Sequence, residues 1–195
     1  MPTVAAQADR TTARPREGRR LAMGLCLALV AHAAQAADPQ RFVSPELEVR
    51  LSPRTPQQIA AFYEGRGFGE AMIDVLRAQC FITVSVHNRS GDILWLDLAQ
   101  WRFSDADGPI ERPHRDRWQE RWQAMGVPLA HQSTFRWTLL PERLDFQPDE
   151  RESGNLVLPR RGKPLRIEAR FETRADRAGP PIVASFEDVQ CALDP

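Results

Sequence analysis

Residues 80–103 read CFITVSVHNRSGDILWLDLAQWRF. Ile82, Val84 and Val86 alternate with Thr83, Ser85 and His87. That period of two sends one side of a strand into a core and the other into water. Asn88-Arg89-Ser90-Gly91-Asp92 follows as a turn, and residues 93–103 resume as a second strand. Its apolar parity slips near Asp97-Leu98, which predicts a bulge or a strand that changes sheets.

Working upstream, Leu47, Val49 and Leu51 alternate with Glu46, Glu48 and Arg50, another half-buried strand, which Pro53 is expected to stop. Thr55-Pro56-Gln57-Gln58 then opens a helix: Thr55 can cap, Pro56 suits the first helical position and Gln58 completes a capping box. Ile59, Phe62 and Tyr63 are its apolar stripe. Gly65, Gly67 and Gly69 kink the chain into a second helical stretch with Met72, Ile73 and Leu76, ending near Gln79.

Downstream, Asp105 to Gly108 is a turn, and residues 112–125 carry a short helical pattern with Trp118, Trp122 and Met125. Phe135, Trp137 and Leu139 are expected to be the inward face of a strand, with further strands at Leu144/Phe146, at residues 154–158, at Leu165, Ile167, Ala169 and Phe171, and from Ile182 to Cys191 behind Pro180-Pro181. Helices do not alternate with strands, which argues against a parallel α/β fold. The expected class is mainly β: an immunoglobulin-like antiparallel β-sandwich of about seven or eight strands, with an N-terminal helical segment and a short inserted helix. It occupies residues 46–195 behind a linker at 37–45.

The first 36 residues read as an address. Arg14, Arg16, Arg19 and Arg20 precede an apolar stretch from Leu21 to Ala34 and an Ala34-Gln35-Ala36 site, the three parts of a bacterial secretory signal peptide cleaved near Ala36. The apolar stretch is short for a permanent span. Cys26 follows Leu25, where a lipoprotein signal wants Gly or Ala, so periplasmic or secreted release is expected rather than a lipid anchor. The chain of 195 residues has 26 Lys+Arg; removing the leader's five arginines leaves 21. It has 26 Asp+Glu; removing Asp9 and Glu17 leaves 24, a net charge of −3. Cys80 and Cys191 remain, an even number in an oxidising compartment, and are expected to pair, two buried thiols being the alternative. Closing a loop of about 110 residues is worth about 4–5 kcal/mol in the chain-entropy account.

The run Val84-Ser85-Val86-His87-Asn88-Arg89-Ser90, then Leu96, then Trp101-Arg102-Phe103-Ser104-Asp105 and Gly108, resembles immunoglobulin-like bacterial envelope modules of the F-x-L-Y-D type. Trp101 stands for the Phe, Phe103 for the Leu and Asp105 for the Asp, while Ser104 departs from the Tyr. The resemblance covers about 25 residues and implies the sandwich fold and a non-catalytic extracytoplasmic module. It implies no binding site, and the helical insertions lie outside it.

Several chemistries fail on residue type and spacing. His87, His114 and His131 form no H-x-x-x-H pair, so no metal is expected. Met72 and Met125 are too few for copper handling. Asp105-Ala106-Asp107-Gly108 lacks the later ligands of a calcium loop, with Asp116 where a Glu belongs. Gly65-Arg66-Gly67-Phe68-Gly69 lacks a Walker ending, and no G-x-S-x-G is present. No cofactor is expected, and balanced charge with a single lysine argues against nucleic acid.

What remains is aromatic. All five tryptophans fall between positions 95 and 137, and Trp118 and Trp122 share a helical face. With Arg115 and Arg121 beside them they form a candidate binding surface for an envelope protein, peptide or glycan. The alternative is that both rings clamp the short helix onto the sandwich. The expected function is an exported, non-catalytic binding or assembly module. Competing readings are a cell-wall or glycan hydrolase working through carboxylates or His114, and a structural protein that self-associates through an edge strand.

Overall fold

β3 (Gln79–Asn88) is the strand around which the first sheet is laid. In the computed structural model, which describes residues 39–194, β3 pairs antiparallel with β2 (Leu47–Arg54) on one side and β8 (Arg151–Pro159) on the other, and β1 (Gln40–Val43) adds outside β2. The expected leader, with Cys26 and the cleavage site near Ala36, lies outside the described residues. The second sheet is centred on β9 (Leu165–Thr173). β10 (Ile182–Val189) pairs along one edge of β9, and β4 (Leu94–Asp97) and β5 (Arg102–Asp105) pair in succession along the other. β7 (Arg143–Phe146) flanks β4, and the two-residue β6 (Gly108–Pro109) flanks β5. All of these pairings are antiparallel, and the described residues belong to one compact unit.

The parity slip is a break rather than a change of sheets. Leu96 faces Phe171 and Arg102 faces Glu168, so six residues advance on one strand while three advance on its partner. A 3-10 turn, Leu98–Gln100, absorbs the excess. An odd number of extra residues switches which parity faces inward, so Leu94 and Leu96 are buried before the turn and Trp101 and Phe103 after it.

The two sheets close on one core. Leu47, Val49 and Leu51 of β2, Ile82, Val84 and Val86 of β3, and Leu165, Ile167, Ala169 and Phe171 of β9 all point into it. Each large apolar side chain buried there contributes about 1.5–3 kcal/mol. A second core lies on the outer face of the four-stranded sheet, where Phe81 and Val157 project toward helices. α1 (Pro56–Glu64) and α2 (Glu70–Arg77) leave the four-stranded sheet between β2 and β3; α3 (Arg115–Ala124) and α4 (Leu129–Thr138) leave the second sheet between β6 and β7. Tyr63 meets Phe135 at 5.9 Å and Phe68 stacks on His131 at 4.8 Å, so the two insertions meet in one layer.

Five sequence expectations are corrected. The linker at 37–45 contains β1, whose Phe42 packs against the sandwich core. Pro53 does not end β2, which runs on to Arg54 with Pro53 opposite Ile82; pairing with β1 stops at Leu51, so an N–H missing on that side loses no partner. Phe135, Trp137 and Leu139 are not a strand. Gln132, Phe135 and Leu139 lie on the buried side of a helix and its C-terminal end, while Trp137 is 85% exposed; the alternation was accidental and the helical spacing real. β10 ends at Val189, before Cys191. The helices expected at the N-terminal end are α1 and α2, set between strands, and the single inserted helix is a pair.

Candidate functional site

Trp118 and Trp122 are 4% and 1% exposed. Their rings stack at 5.5 Å, and each meets Phe135, at 5.4 and 5.3 Å. The candidate binding surface built on them is therefore corrected: the rings are the clamp that seats a very polar helix on the sheet. Arg121 lies over the Trp118 ring at 5.8 Å, on the outside. Arg115 is a strut. Its Nη2 donates to the carbonyl of Arg136 at 3.0 Å, and burial first of all pushes its guanidinium pKa below the ordinary value.

The groups a hydrolase reading would need are engaged nearby. Glu142 accepts from Arg112 Nη1 at 3.1 Å and Nη2 at 2.5 Å, and from the Arg115 backbone N–H at 2.9 Å. This half-buried bidentate pair anchors the start of α3. His114 caps that helix, its Nδ1 accepting from the Asp116 N–H at 3.3 Å. His87 of β3 bonds Asp149, in the turn before β8, at 2.7 Å. Among the described residues, no three His, Cys, Asp or Glu side chains gather to hold a metal ion.

Cys80 and Cys191 are disulfide-bonded, with Cα atoms 5.3 Å apart. The tail beyond is held as well. Arg160 donates to the carbonyls of Ala192 at 3.0 Å and Gln79 at 2.9 Å, and Asp194 accepts from the Gln57 N–H at 2.7 Å, at the start of α1.

A cleft that sequence reasoning missed lies where the helix layer stops short of covering the four-stranded sheet. Its volume is about 560 Å³ and it is open to solvent. Arg54, Thr83 and Asn155 come from three neighbouring strands. Gln58, Ile59 and Phe62 form the wall supplied by α1, and Thr138 closes it from α4. The capping box creates that wall: Thr55 Oγ1 accepts from the Gln58 N–H at 3.1 Å and Gln58 Oε1 from the Thr55 N–H at 3.2 Å, so α1 starts one residue after β2 ends. Gly154 fixes the far end. A Cβ there would stand 2.5 Å from Leu140 N and Cα, because the chain leaving α4 crosses β8 at this point, with Leu140 N–H donating to the Asn155 carbonyl at 3.0 Å.

The floor is polar and internally hydrogen-bonded. Arg54 Nε donates to Thr83 Oγ1 at 2.9 Å, and Thr83 Oγ1 donates to Asn155 Oδ1 at 2.9 Å. Ser153 Oγ donates to Ser85 Oγ at 2.9 Å. Behind the wall, Thr138 Oγ1 donates to the Phe135 carbonyl at 2.7 Å, so it accepts from the Tyr63 hydroxyl at 2.7 Å. Burial raises the Tyr63 pKa to about 12, against the opposing effect of the hydrogen bonds to Thr138 and Asn155. Among the described residues the lining holds a guanidinium, hydroxyls and amides beside Ile59 and Phe62, without a carboxylate or an imidazole. Such a surface can recognise polar groups.

No protein-family model matches the chain, and no curated protein does. Three solved structures show remote likenesses. One is a Bacillus subtilis protein, ycdA, provisionally described as a lipoprotein (14% identity, 76% of this chain and 38% of that one, TM-score 0.40). Another is the yjhA protein of Bacillus subtilis (8% identity, 67% and 76%, TM-score 0.40). The third is a conserved hypothetical protein of Bacillus anthracis (14% identity, 78% and 94%, TM-score 0.33). The chain spans well under half the length of ycdA, and likenesses of this size establish no activity.

Proposed function

We propose that the chain is an exported, non-catalytic binding module of the bacterial envelope, with an immunoglobulin-like sandwich as scaffold and the cleft beside α1 as its contact site. The observation that carries the reading is the cleft lining, polar, already hydrogen-bonded within itself and backed by an apolar wall, without a carboxylate or an imidazole among the described residues. Preorganisation of this kind lowers the ordering cost of binding. The basic-apolar-small pattern of the first 36 residues and the Cys80–Cys191 bond support an oxidising, extracytoplasmic setting. Among the described residues no helix is long and apolar enough to cross a membrane.

The sandwich reading draws on strand order. β2, β3 and β8 lie in one sheet, and β10, β9 and the broken β4/β5 strand in the other; this order supports reading them as strands A, B, E and G, F, C of an immunoglobulin-like domain, with β7 beside β4 instead of a D strand beside β8. The resemblance at Trp101 to Gly108 falls on the β5–β6 hairpin, where β5 borders β9.

The test is capture from envelope extract with immobilised protein, comparing wild type with Ser153→Arg, which fills the cleft floor, and Arg121→Ser, which lies away from it. Partners retained by wild type and Arg121→Ser but lost by a folded Ser153→Arg variant support the site. Identical partner sets for all three remove it.

A further inference from the structure

Arg54 is half-buried at the edge of the cleft, and its Nε is committed to Thr83 Oγ1 at 2.9 Å. That bond fixes the plane of the guanidinium and leaves its two Nη groups as a fork. Among the described residues no carboxylate comes within ion-pair distance of it, and none lines the cleft. Across the apolar wall, Arg66 covers one face of Phe62 with its guanidinium carbon 3.5 Å from the ring centroid, again with no ion-pair partner among the described residues. Most other charged groups near the helix layer are paired, as Arg112 is with Glu142 and Arg77 with Glu64. The cleft lining thus carries one cationic side chain, Arg54, and no carboxylate, with Arg66 outside it on the far face of Phe62.

The remaining hydrogen-bonding capacity points the same way. Thr83 Oγ1 already accepts from Arg54 and donates to Asn155, and Gln58 Oε1 accepts from the Thr55 N–H. What stays available toward the cleft as donors is the Arg54 fork and the Gln58 amide NH2, beside the acceptor lone pairs of Ser153 Oγ, whose hydrogen goes to Ser85. A bidentate donor fork matches a carboxylate. Ile59 and Phe62 beside it match an apolar group attached to that carboxylate.

The floor then separates two sources of such a ligand. A long alkyl chain would run from the fork over Ser153, whose hydroxyl gives it nothing, in a cleft too open to shield it. A peptide would place one apolar terminal side chain against α1 and a preceding amide N–H over the Ser153 oxygen. We infer that the cleft binds the C-terminal end of a peptide or protein whose last residue is apolar, with the Arg54 fork on the terminal carboxylate and Phe62 and Ile59 against the last side chain. This rests on the binding-module reading and names its ligand class.

The experiment is a two-dimensional amide NMR titration of the full chain with three probes: acetyl-glycyl-seryl-phenylalanine, the same peptide as its C-terminal amide, and decanoate. The free-acid peptide is expected to shift the resonances of Arg54, Gln58, Thr83 and Phe62 and to bind at least tenfold more tightly than the amide. Arg54→Lys, which keeps the charge but loses the fork, is expected to weaken it about tenfold, and Thr83→Val several-fold, each in a variant whose melting temperature shows that it folds. Phe62→Ser tests the wall independently of the charge and is expected to weaken the acid and the amide alike. Equal binding of acid and amide, shifts elsewhere on the protein, or tighter binding of decanoate than of the peptide overturns the inference. If the peptides fail while Ser153→Arg still abolishes partner capture, the ligand class is wrong and the contact site stands; if both fail, both go.

Discussion

Tyr63 is the only tyrosine in the chain, which makes its ionisation readable without assignment. Its ring sits between Phe68 at 4.8 Å and Phe135 at 5.9 Å, and its hydroxyl donates to Thr138. A phenolate there would be buried without a cation in contact, so the folded pKa rises from 10.0 to about 12. The folded protein therefore holds its proton where the unfolded chain has released it. Stability from this group is fully present below pH 10 and declines as pH rises toward 12, by about 2–3 kcal/mol in all. Phenolate absorbance is expected to lag its value in denaturant over that interval, and the Tyr63→Phe variant to lose the corresponding part of the alkaline fall in melting temperature. A midpoint near 10 in the native protein would show that the ring is open to water.

At the scale of elements, each helix exists by a different means. α1 is written into the sequence: the Thr55/Gln58 box and Pro56 are local chemistry, and the structure reproduces them bond for bond. α3 is nearly all charge and amide, and Trp118 and Trp122 are its only buried side chains. Trp122→Ala is expected to cost about 3–5 kcal/mol. The loss should be concentrated in α3 and α4, so hydrogen exchange ought to speed up there while β9 stays protected. Loss of protection across the whole sandwich would mean that the helical layer and the sheets unfold as one. α4 was the element hardest to read. Phe135 and Leu139 satisfy both a period of two and a helical spacing, and the sequence offers no cap, because Pro128 stands where a side-chain cap would. The two readings of the tryptophans, surface or clamp, stayed open in the sequence for the same reason. At i, i+4 on a polar helix, two rings serve equally as surface or anchor until the partner face is known, and that face, Phe81 and Val157, lies far away in the chain.

The whole molecule turns on one sheet being covered on both sides at one end only. Part of this was legible. The strands of β2, β3 and β9 were found from their alternation, and the run Leu156-Val157-Leu158, buried at three successive positions, carries the mark of a strand with no wet face. The cleft was not legible, because it is the boundary left where two insertions from distant parts of the chain stop covering the sheet. Its position depends on α1, and α1 is held at its start by the chain's own tail. Asp194 accepts from Gln57 N–H, Ala192 is buried, and Arg160 grips the Ala192 carbonyl, all within three residues of the Cys191 bond to Cys80. The disulfide thus joins the sandwich core, where Cys80 lies, to the wall of the cleft. Replacing both cysteines by Ser is expected to destabilise the chain by about 2–5 kcal/mol, whereas Asp194→Ala, which removes one charge-assisted contact at a helix start, is expected to cost about 1 kcal/mol. If the tail acts as a clasp, the two changes share a route: with the disulfide gone the tail is free to leave α1, and Asp194→Ala then costs less than it does in the bonded protein. A double-mutant cycle on melting measures this directly, and strict additivity of the two effects would show that the tail does not transmit the bond's constraint to the cleft.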